Sequence, residues 1–142
     1  MTLPVVRCSG RRPYPPRATA FTRQFWDALA AARFTTSRCG TCGRASFPPK
    51  PFCPHCWSRD VQWFELEGRG IIYSQTVVHA SPEVFAAEAP YRLCLVDLTE
   101  NIRIATRLVE AGAGVPIGSP VELVLLQYED GPLFAARPLA TA

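Results

Sequence analysis

The segment CGTCGRASFPPKPFCPHC, residues 39–56, contains two Cys-x-x-Cys pairs with ten residues between them. Each pair forms a tight turn that directs two sulfur atoms at one point, and two such turns complete a tetrahedron of thiolates around a metal ion. Gly40 and Gly43 permit the positive φ angles that these turns often require, and Pro54 stiffens the second turn. The segment therefore predicts one metal ion with four ligands: Cys39, Cys42, Cys53 and Cys56.

A metal site with four thiolate ligands is closed to water and substrate, so we expect its role to be structural. Zinc is the metal that this spacing favours, and an iron centre of rubredoxin type is the alternative with the same four ligands. A redox function is disfavoured because redox Cys-x-x-Cys motifs usually stand alone in a βα unit. His55 lies inside the second pair and is interpreted as a solvent-facing turn residue, since four cysteines already saturate the ion.

The length and the cysteine count limit the class of protein. The 142 residues suit one compact domain, or a small domain with a minidomain. No run of apolar residues is long enough to span a bilayer, and the N-terminal segment lacks the charged-then-apolar order of a signal peptide. We therefore expect a cytoplasmic protein without membrane association. Thiols stay reduced in that compartment, which favours metal binding over disulfides for the six cysteines.

Charge is distributed unevenly along the chain. Residues 1–59 contain ten Lys and Arg residues and one acidic residue, whereas residues 60–142 contain five basic and eleven acidic residues. This asymmetry indicates two modules with different surfaces. The basic half suits an anionic cofactor, a nucleic acid or an acidic partner protein.

The patterning divides the chain into an extended proline-rich arm, a helix, a zinc ribbon and a barrel, over residues 1–18, 19–36, 37–60 and 61–142. In the helix, Phe25 and Leu29 lie on one face with Trp26 beside them, and Thr19 and Thr22 are both candidate N-caps. The aromatic stripe fits two interpretations. Either it packs the helix against its own domain, or it docks on another chain.

Five short segments rich in β-branched and apolar residues follow the ribbon and are separated by turn signals. They are residues 70–80, 93–98, 102–109, 120–128 and 133–138, and residues 61–66 before them, grouped with the barrel, alternate weakly. Five short strands in this length of chain suit a small closed barrel. The connection over residues 80–91 is predicted to be a short helix or an ordered loop, with Ser81 as its N-cap and Pro82 at its first position. Cys94 is interpreted as a small buried hydrophobic residue.

The sequence contains no recognisable catalytic constellation. His55 and His79 are its two histidines, and neither a nucleophile elbow nor a GxGxxG or phosphate-binding loop is present. The acidic residues are scattered over loops and strand ends. We therefore expect no catalytic residues and no independent enzymatic activity.

The order of short motifs resembles a family of zinc-ribbon plus OB-fold proteins described as acyl-CoA-associated, over about residues 20–138. The matching segments are Phe25-Trp26 with Leu29, the two cysteine pairs with their flanking residues, Phe47-Pro48-Pro49, and the residues 68–74, 76–79, 90–91, 96–98 and 117–121. The family often has a glycine after the last cysteine, where this chain has Trp57.

This resemblance implies a mostly β fold, with an N-terminal helix and a rubredoxin-like zinc ribbon followed by a five-stranded OB-fold barrel. It implies an accessory subunit of thiolase-fold enzymes that form or cleave carbon–carbon bonds in acyl-CoA thioesters. The catalytic residues in such assemblies belong mainly to the thiolase-like chain, and the OB module helps to hold the CoA thioester.

Two sets of residues are candidates for these contacts. The candidates for ligand binding are Tyr73, His79, Phe85, Tyr91 and Arg92, with Arg69, Arg103 and Arg107 as further basic residues of the barrel. The candidates for docking on the partner are Phe25, Trp26, Phe52 and Trp57, because aromatic residues are the usual anchors of interfaces.

Two other functions remain open from the sequence. Zinc ribbons and OB-folds also bind single-stranded nucleic acid, and the first half of the chain is basic. The acidic barrel half and the dispersed arginines disfavour that interpretation. An unrelated interaction module is the third possibility.

Overall fold

The computed structural model describes residues 2–139. Met1 of the predicted arm and residues 140–142 of the predicted barrel lie outside the described residues. The elements are β1 (Val5–Arg7), α1 (Arg23–Ala30), β2 (Phe34–Cys39), β3 (Ala45–Ser46), β4 (Val61–Leu66), β5 (Arg69–Val78), a 3₁₀ helix (Glu83–Glu88), β6 (Tyr91–Leu98), β7 (Arg103–Leu108), β8 (Pro120–Tyr128) and β9 (Gly131–Pro138). No helix within residues 2–139 is long and apolar enough to cross a membrane.

The larger sheet closes into a five-stranded barrel. Strand β5 pairs antiparallel with β6 and with β8, β6 with β7, and β8 with β9, while β7 meets β9 in parallel at Leu108 and Ala136. This cyclic order, β5-β6-β7-β9-β8, is that of an OB-fold and confirms the predicted mostly β fold. Alternate residues of the strands fill the interior, among them Ile72, Val96, Ile104 and Val121.

The smaller sheet forms the ribbon, with β2 between β3 and β4. The sequence grouped Val61–Leu66 with the barrel. The structure instead pairs it with β2, from Phe34 opposite Leu66 to Cys39 opposite Val61. The ribbon sheet therefore extends six residues beyond the boundary predicted at residue 60. An alternating segment identifies a strand but not its partner, and here the partner is the strand that ends at the first metal ligand.

The helix is shorter than the predicted segment 19–36. It ends at Ala30, and Ala32 adopts a φ of 61°, which terminates a helix. Residues 34–37 form the buried centre of β2 instead. Thr35 and Thr36 are β-branched and favour a strand, and the apolar spacing of the helix runs directly into this strand without a visible boundary in the sequence.

Of the two predicted caps, Thr22 is the N-cap residue of α1 but makes no side-chain hydrogen bond to the helix, and the two threonines instead bond to each other in the preceding turn. The amide of Thr19 donates to Thr22 Oγ1 at 2.8 Å, and the amide of Thr22 donates to Thr19 Oγ1 at 3.1 Å. This reciprocal pair satisfies two amides, as a capping box does. Arg23 N then donates to the Thr19 carbonyl at 2.9 Å, so the helical turn begins before the first regular helical residue.

The proline-rich arm is extended, as predicted, and is attached to the barrel. Its residues Val5–Arg7 pair in parallel with Leu125–Gln127 of β8, and Leu3 is buried in the core. Further along, the amide of Arg12 donates to Asp130 Oδ1 at 2.8 Å, and its guanidinium donates to the Asp130 carbonyl at 2.8 Å. The arm thus closes over the turn between β8 and β9.

An aromatic cluster joins the helix, the ribbon and the barrel. The ring of Phe25 lies 5.5 Å from Phe34, 5.7 Å from Phe47 and 6.2 Å from Phe134, measured between ring centres. Phe25 is only 3% exposed. The helix therefore packs against its own chain through this residue, which corrects the assignment of Phe25 to a docking surface.

Candidate metal centre and ligand face

The two Cys-x-x-Cys turns have the same backbone structure. In the first, Gly43 N donates to the Cys39 carbonyl at 3.0 Å, and in the second, Trp57 N donates to the Cys53 carbonyl at 2.9 Å. Gly43 has a φ of 76° and Trp57 a φ of 65°. Trp57 thus occupies the left-handed position that glycine occupies in the first turn, at a steric cost of about 1 kcal/mol or more.

The two turns bring their four sulfur atoms together. All lie within 4.8 Å of one another, and Cys39 to Cys56 and Cys42 to Cys53 are each 3.6 Å apart. A tetrahedral ion with metal–sulfur bonds of about 2.3 Å would place its sulfurs about 3.8 Å apart. The cysteines predicted as ligands therefore have the geometry of a four-coordinate metal centre.

Backbone amides favour the thiolate form of the buried cysteines. The amides of Thr41 and Cys42 each donate to Cys39 Sγ at 3.3 Å, and the Cys42 amide is the main reason that the pKa of Cys39 falls to about 6. The Ser58 amide lowers the pKa of Cys56, but burial and the neighbouring cysteines raise it to about 11. Four adjacent thiols ionise together only with a cation among them, so the donor set fits a metal ion.

The predicted docking residues fall into two groups. Phe52 and Trp57 are exposed, at 37% and 73%, and their rings stack with centres 5.5 Å apart and planes inclined by 11°. Phe25 is buried, and Trp26 is half-buried and packs edge-on against Phe25 at 4.9 Å. The structure therefore leaves one aromatic surface beside the metal turns, formed by Phe52 and Trp57.

Two of the predicted ligand residues meet at one end of the barrel. The rings of Phe85, from the 3₁₀ helix, and Tyr91, from β6, are 6.2 Å apart. The Arg107 guanidinium lies 4.1 Å from the centre of the Tyr91 ring and 5.6 Å from that of Phe85. Arg107 also forms an ion pair of 3.0 Å with Glu88, which fixes its position between the two rings. The predicted ordered segment over residues 80–91 thus forms one wall of an aromatic site.

Tyr73 lies at the other end of the same outer face. It sits in a β-bulge of β5, where the pairing with β6 shifts between Ile72 and Ser74. The Arg103 guanidinium lies 3.4 Å from the centre of its ring and donates to Asp97 at 2.6 and 3.1 Å. The hydrogen bond from Arg103 holds the pKa of Asp97 below its usual value.

His79 and Arg92 do not join either group. His79 is exposed just beyond β5 and has no hydrogen bond or ion pair within residues 2–139. Arg92 follows Tyr91 in β6 and therefore points to the opposite side of the strand. Its guanidinium donates to the Ala113 carbonyl at 2.7 Å, so it supports the loop between β7 and β8 instead of the aromatic site.

A shallow apolar groove lies between the two ends of this outer face. It has a volume of about 220 Å³, and Leu93, Leu95 and Ala105 line it with Ser74 and Thr76. Leu93 is 39% exposed. Residues 93–98 were predicted as an apolar strand, and this groove was not predicted. The alternation of β6 would have revealed it, because Cys94, Val96 and Leu98 fill the interior while Leu93 and Leu95 face outward.

Comparisons with known proteins assign the two modules to one family. A family model described as the ChsH2 rubredoxin-like zinc ribbon domain matches residues 26–62, and one described as the ChsH2 C-terminal OB-fold domain matches residues 63–126. A DUF35 domain-containing scaffold protein of Methanocaldococcus jannaschii is 36% identical over 97 residues, which are 66% of this chain and 69% of that protein. This chain belongs to the DUF35 family.

Other proteins similar to this DUF35 chain have names that refer to acyl-CoA enzymes. A probable enoyl-CoA hydratase alpha subunit of Thermomonospora curvata is 41% identical over 107 residues, 74% of this chain but 33% of that protein. The benzoylsuccinyl-CoA thiolase subunit BbsA of Thauera aromatica is 33% identical over 97 residues, 66% of this chain and 63% of BbsA. The DUF35 chain thus spans only a third of the Thermomonospora relative.

A solved structure extends the likeness to three dimensions. A chain of the Ltp2-ChsH2(DUF35) aldolase superposes with a TM-score of 0.75 at 36% identity, covering 87% of this DUF35 chain and 98% of that chain. The predicted resemblance to a zinc-ribbon and OB-fold family is confirmed.

Proposed function

We propose that this DUF35 chain is a non-catalytic accessory subunit that binds a thiolase-fold enzyme and holds an acyl-CoA thioester for carbon–carbon bond formation or cleavage. The observation that carries the proposal is the match to a chain of an aldolase complex, which includes the ribbon and the barrel together. The name of BbsA as a thiolase subunit supports the same class of partner.

The aromatic surface formed by Phe52 and Trp57 is the docking site in this proposal. A tryptophan that is 73% exposed and held at a positive φ leaves a large apolar surface open at a steric cost to its own turn. Stacking on Phe52 makes the two rings one rigid apolar patch. Large aromatic residues of this kind anchor interfaces because they bury much area with little loss of side-chain freedom.

The outer face of β5, β6 and β7 is the ligand face. Its groove offers apolar contact to an extended chain such as pantetheine, and Phe85 and Tyr91 stand at its end. We assign the thioester to this end, where the loop over residues 80–91 meets the barrel. Arg107 and Glu88 pair with each other there, and so do Arg103 and Asp97 at the far end. Paired charges of this kind suit binding more than proton transfer.

Zinc is the metal that we assign to Cys39, Cys42, Cys53 and Cys56. When bound, zinc supplies a cross-link with four thiolate bonds and no open coordination position. The ribbon sheet has three strands, one of only two residues, and residues 47–60 between β3 and β4 form no helix or strand. The second metal turn therefore has little regular structure of its own to hold it in place. The cross-link would therefore hold the docking surface, since Phe52 and Trp57 flank the second pair of ligands.

Co-expression with a thiolase-fold protein from the same organism tests the proposal. We expect a stable complex, and we expect cleavage or formation of a carbon–carbon bond in a CoA thioester by the complex but not by this chain alone. Ile117→Ala serves as a control for substitutions of Phe52 and Trp57, because Ile117 is also apolar and is 69% exposed, on the loop between β7 and β8. Robust turnover by this chain alone, or failure of the two proteins to associate, would contradict the proposal.

A further inference from the structure

A second depression lies between the ribbon and the barrel, away from the groove. It has a volume of about 530 Å³. Arg38, Arg44 and His55 line it from the ribbon, and Glu100 and Asn101 line it from the turn between β6 and β7. It therefore brings two guanidinium groups and an imidazole to one cleft, within the half of the chain where basic residues exceed acidic ones.

The guanidinium and imidazole groups of this cleft are available to a ligand as hydrogen-bond donors. Arg44 and His55 are exposed, and their side chains form no hydrogen bond or ion pair within the part of the chain that the structure describes. The Arg38 guanidinium lies over the Phe64 ring, 4.1 Å from its centre. Stacking orients the plane of the guanidinium and leaves its N–H edges free to donate. Arginine in this arrangement suits the bidentate binding of phosphate.

Among residues 2–139, Glu100 is the one carboxylate that lines the cleft, and its oxygens accept hydrogen bonds from nearby residues. Glu100 Oε2 accepts from Glu67 N at 2.8 Å, and Oε1 accepts from Thr99 Oγ1 at 3.1 Å. Its negative charge is thereby partly offset by local donors. Asn101, at a φ of 62°, is exposed and brings a side-chain amide to the rim.

The cleft leads to the ligand face. A neighbouring depression is lined by Asp97, Asn101 and Arg103, so it shares Asn101 with the basic cleft. Arg103 in turn covers Tyr73. Strand β6 runs from Asp97 at this end to Tyr91 at the aromatic site, a distance of about 20 Å at about 3.3 Å per residue. The basic cleft and the aromatic site thus lie at opposite ends of one strand.

We propose that the cleft formed by Arg38, Arg44, His55 and Asn101 binds the phosphate groups of a CoA thioester whose acyl end lies at Phe85 and Tyr91. This inference rests on the proposed function and gives the ligand a direction along β6. It also accounts for the position of the basic half of the chain beside an acidic barrel.

A different role for these arginines is to balance the negative charge of the metal centre, because four thiolates with Zn²⁺ carry a net charge of about −2. The two roles differ in what the substitution Arg44→Gln changes. Loss of charge balance weakens metal retention, whereas loss of a phosphate contact weakens binding of CoA and leaves the metal in place.

The test is calorimetric titration of the full metal-loaded chain with CoA, with pantetheine and with a short single-stranded oligonucleotide. We expect CoA to bind, pantetheine to bind at least about tenfold more weakly, and Arg44→Gln to weaken CoA binding about tenfold with unchanged metal content. Arg23→Gln, an equal change of charge on α1 outside the cleft, is the matched control and should stay within about twofold of the unsubstituted chain.

Several results would overturn the inference. One is that Arg44→Gln binds CoA within about twofold of the unsubstituted chain, and another is that the chain does not bind millimolar CoA at all. The others are that Arg44→Gln loses the metal, or that the oligonucleotide binds more tightly than CoA. Association with the thiolase-fold partner is scored separately by gel filtration. If the complex forms but Arg44→Gln binds CoA normally, the phosphate site is wrong and the proposed function stands. If CoA binds at this cleft but no complex forms, the proposed function is wrong.

Discussion

Phe52 and Trp57 stack almost parallel, with ring centres 5.5 Å apart, on either side of the second pair of metal ligands. This contact ties an exposed apolar patch to the geometry of the metal centre, because the backbone between the two rings contains Cys53 and Cys56. Any change that loosens the turn should therefore alter the docking surface, and the first two predictions follow from this relationship.

Trp57→Gly should weaken the association of the chain with its partner without lowering the stability of its own fold. Glycine adopts the φ of 65° without strain, so we expect the free energy of unfolding to stay unchanged or rise by up to about 1 kcal/mol. Affinity for the thiolase-fold partner should fall about tenfold or more, since a buried aromatic anchor contributes about 2 kcal/mol. Thermal denaturation and gel filtration measure the two effects. Unfolding of the free chain without a separate loss of association would show that Trp57 is structural.

Cys53→Ser should release the metal and unfold the ribbon while the barrel stays folded. The two metal turns depend on the metal for their stability, whereas strands β5 to β9 supply most of the buried residues in the core that the barrel shares with Phe34 and Leu66 of the ribbon. Metal analysis and amide resonances of the two modules measure this outcome. Cys8→Ser is the control, because Cys8 lies outside the sulfur cluster, and it should retain one metal ion per chain. An ordered ribbon in the metal-free variant would contradict the structural role.

Tyr91→Ala should impair the handling of the thioester in the assembled enzyme without dissociating it. The substitution removes a ring that lies 6.2 Å from the Phe85 ring and 4.1 Å from the Arg107 guanidinium, and contacts of this kind contribute about 1 kcal/mol or somewhat more. We expect KM for the CoA thioester to rise about fivefold to tenfold. Val84→Ala is the control, since Val84 is exposed in the same 3₁₀ helix outside the ring pair. An unchanged KM would indicate that the barrel serves only as a scaffold.

Acid should detach the N-terminal arm from the barrel. The hydrogen bond from Arg12 N is the main cause that lowers the pKa of Asp130, so the native state favours the carboxylate. This contribution to stability is present above the unfolded pKa of about 3.9 and is lost as pH falls through the lower native pKa. Asp130→Asn should mimic the acid state at neutral pH. Limited trypsin digestion after Arg11 and Arg17 should then proceed faster than in the unsubstituted chain, and equal rates would contradict the contact.

The sequence predicted those features that depend on local chemistry. The two Cys-x-x-Cys turns identify the metal ligands by spacing, and β-branched segments identify the five barrel strands. It did not predict the partner of Val61–Leu66, because alternation of side chains does not specify which strand lies alongside. Phe25 was assigned to a surface for a related reason. The spacing of aromatic residues on an amphipathic helix is the same whether the helix packs against its own chain or against another chain. Here Phe25 packs against Phe34 of its own chain.

The ligand face was only partly visible before the structure. Phe85 and Tyr91 were both named as aromatic candidates of the barrel, and their rings do meet. Arg92 was named with them as a basic residue of the barrel, but successive residues of a strand point to opposite faces, and it supports the loop at Ala113. The sequence did not indicate a role for Arg44, because its cleft forms only where the segment after the first cysteine pair lies near the turn at Asn101.

The measurement that tests the central claim most directly is an assay of acyl-CoA carbon–carbon bond formation and cleavage with three preparations: this chain, the thiolase-fold partner, and their complex. The account predicts background rates for this chain alone and a rate for the complex at least about tenfold above that of the partner alone. Turnover by this chain alone, or a partner whose rate and KM are unaffected by this chain, would contradict it.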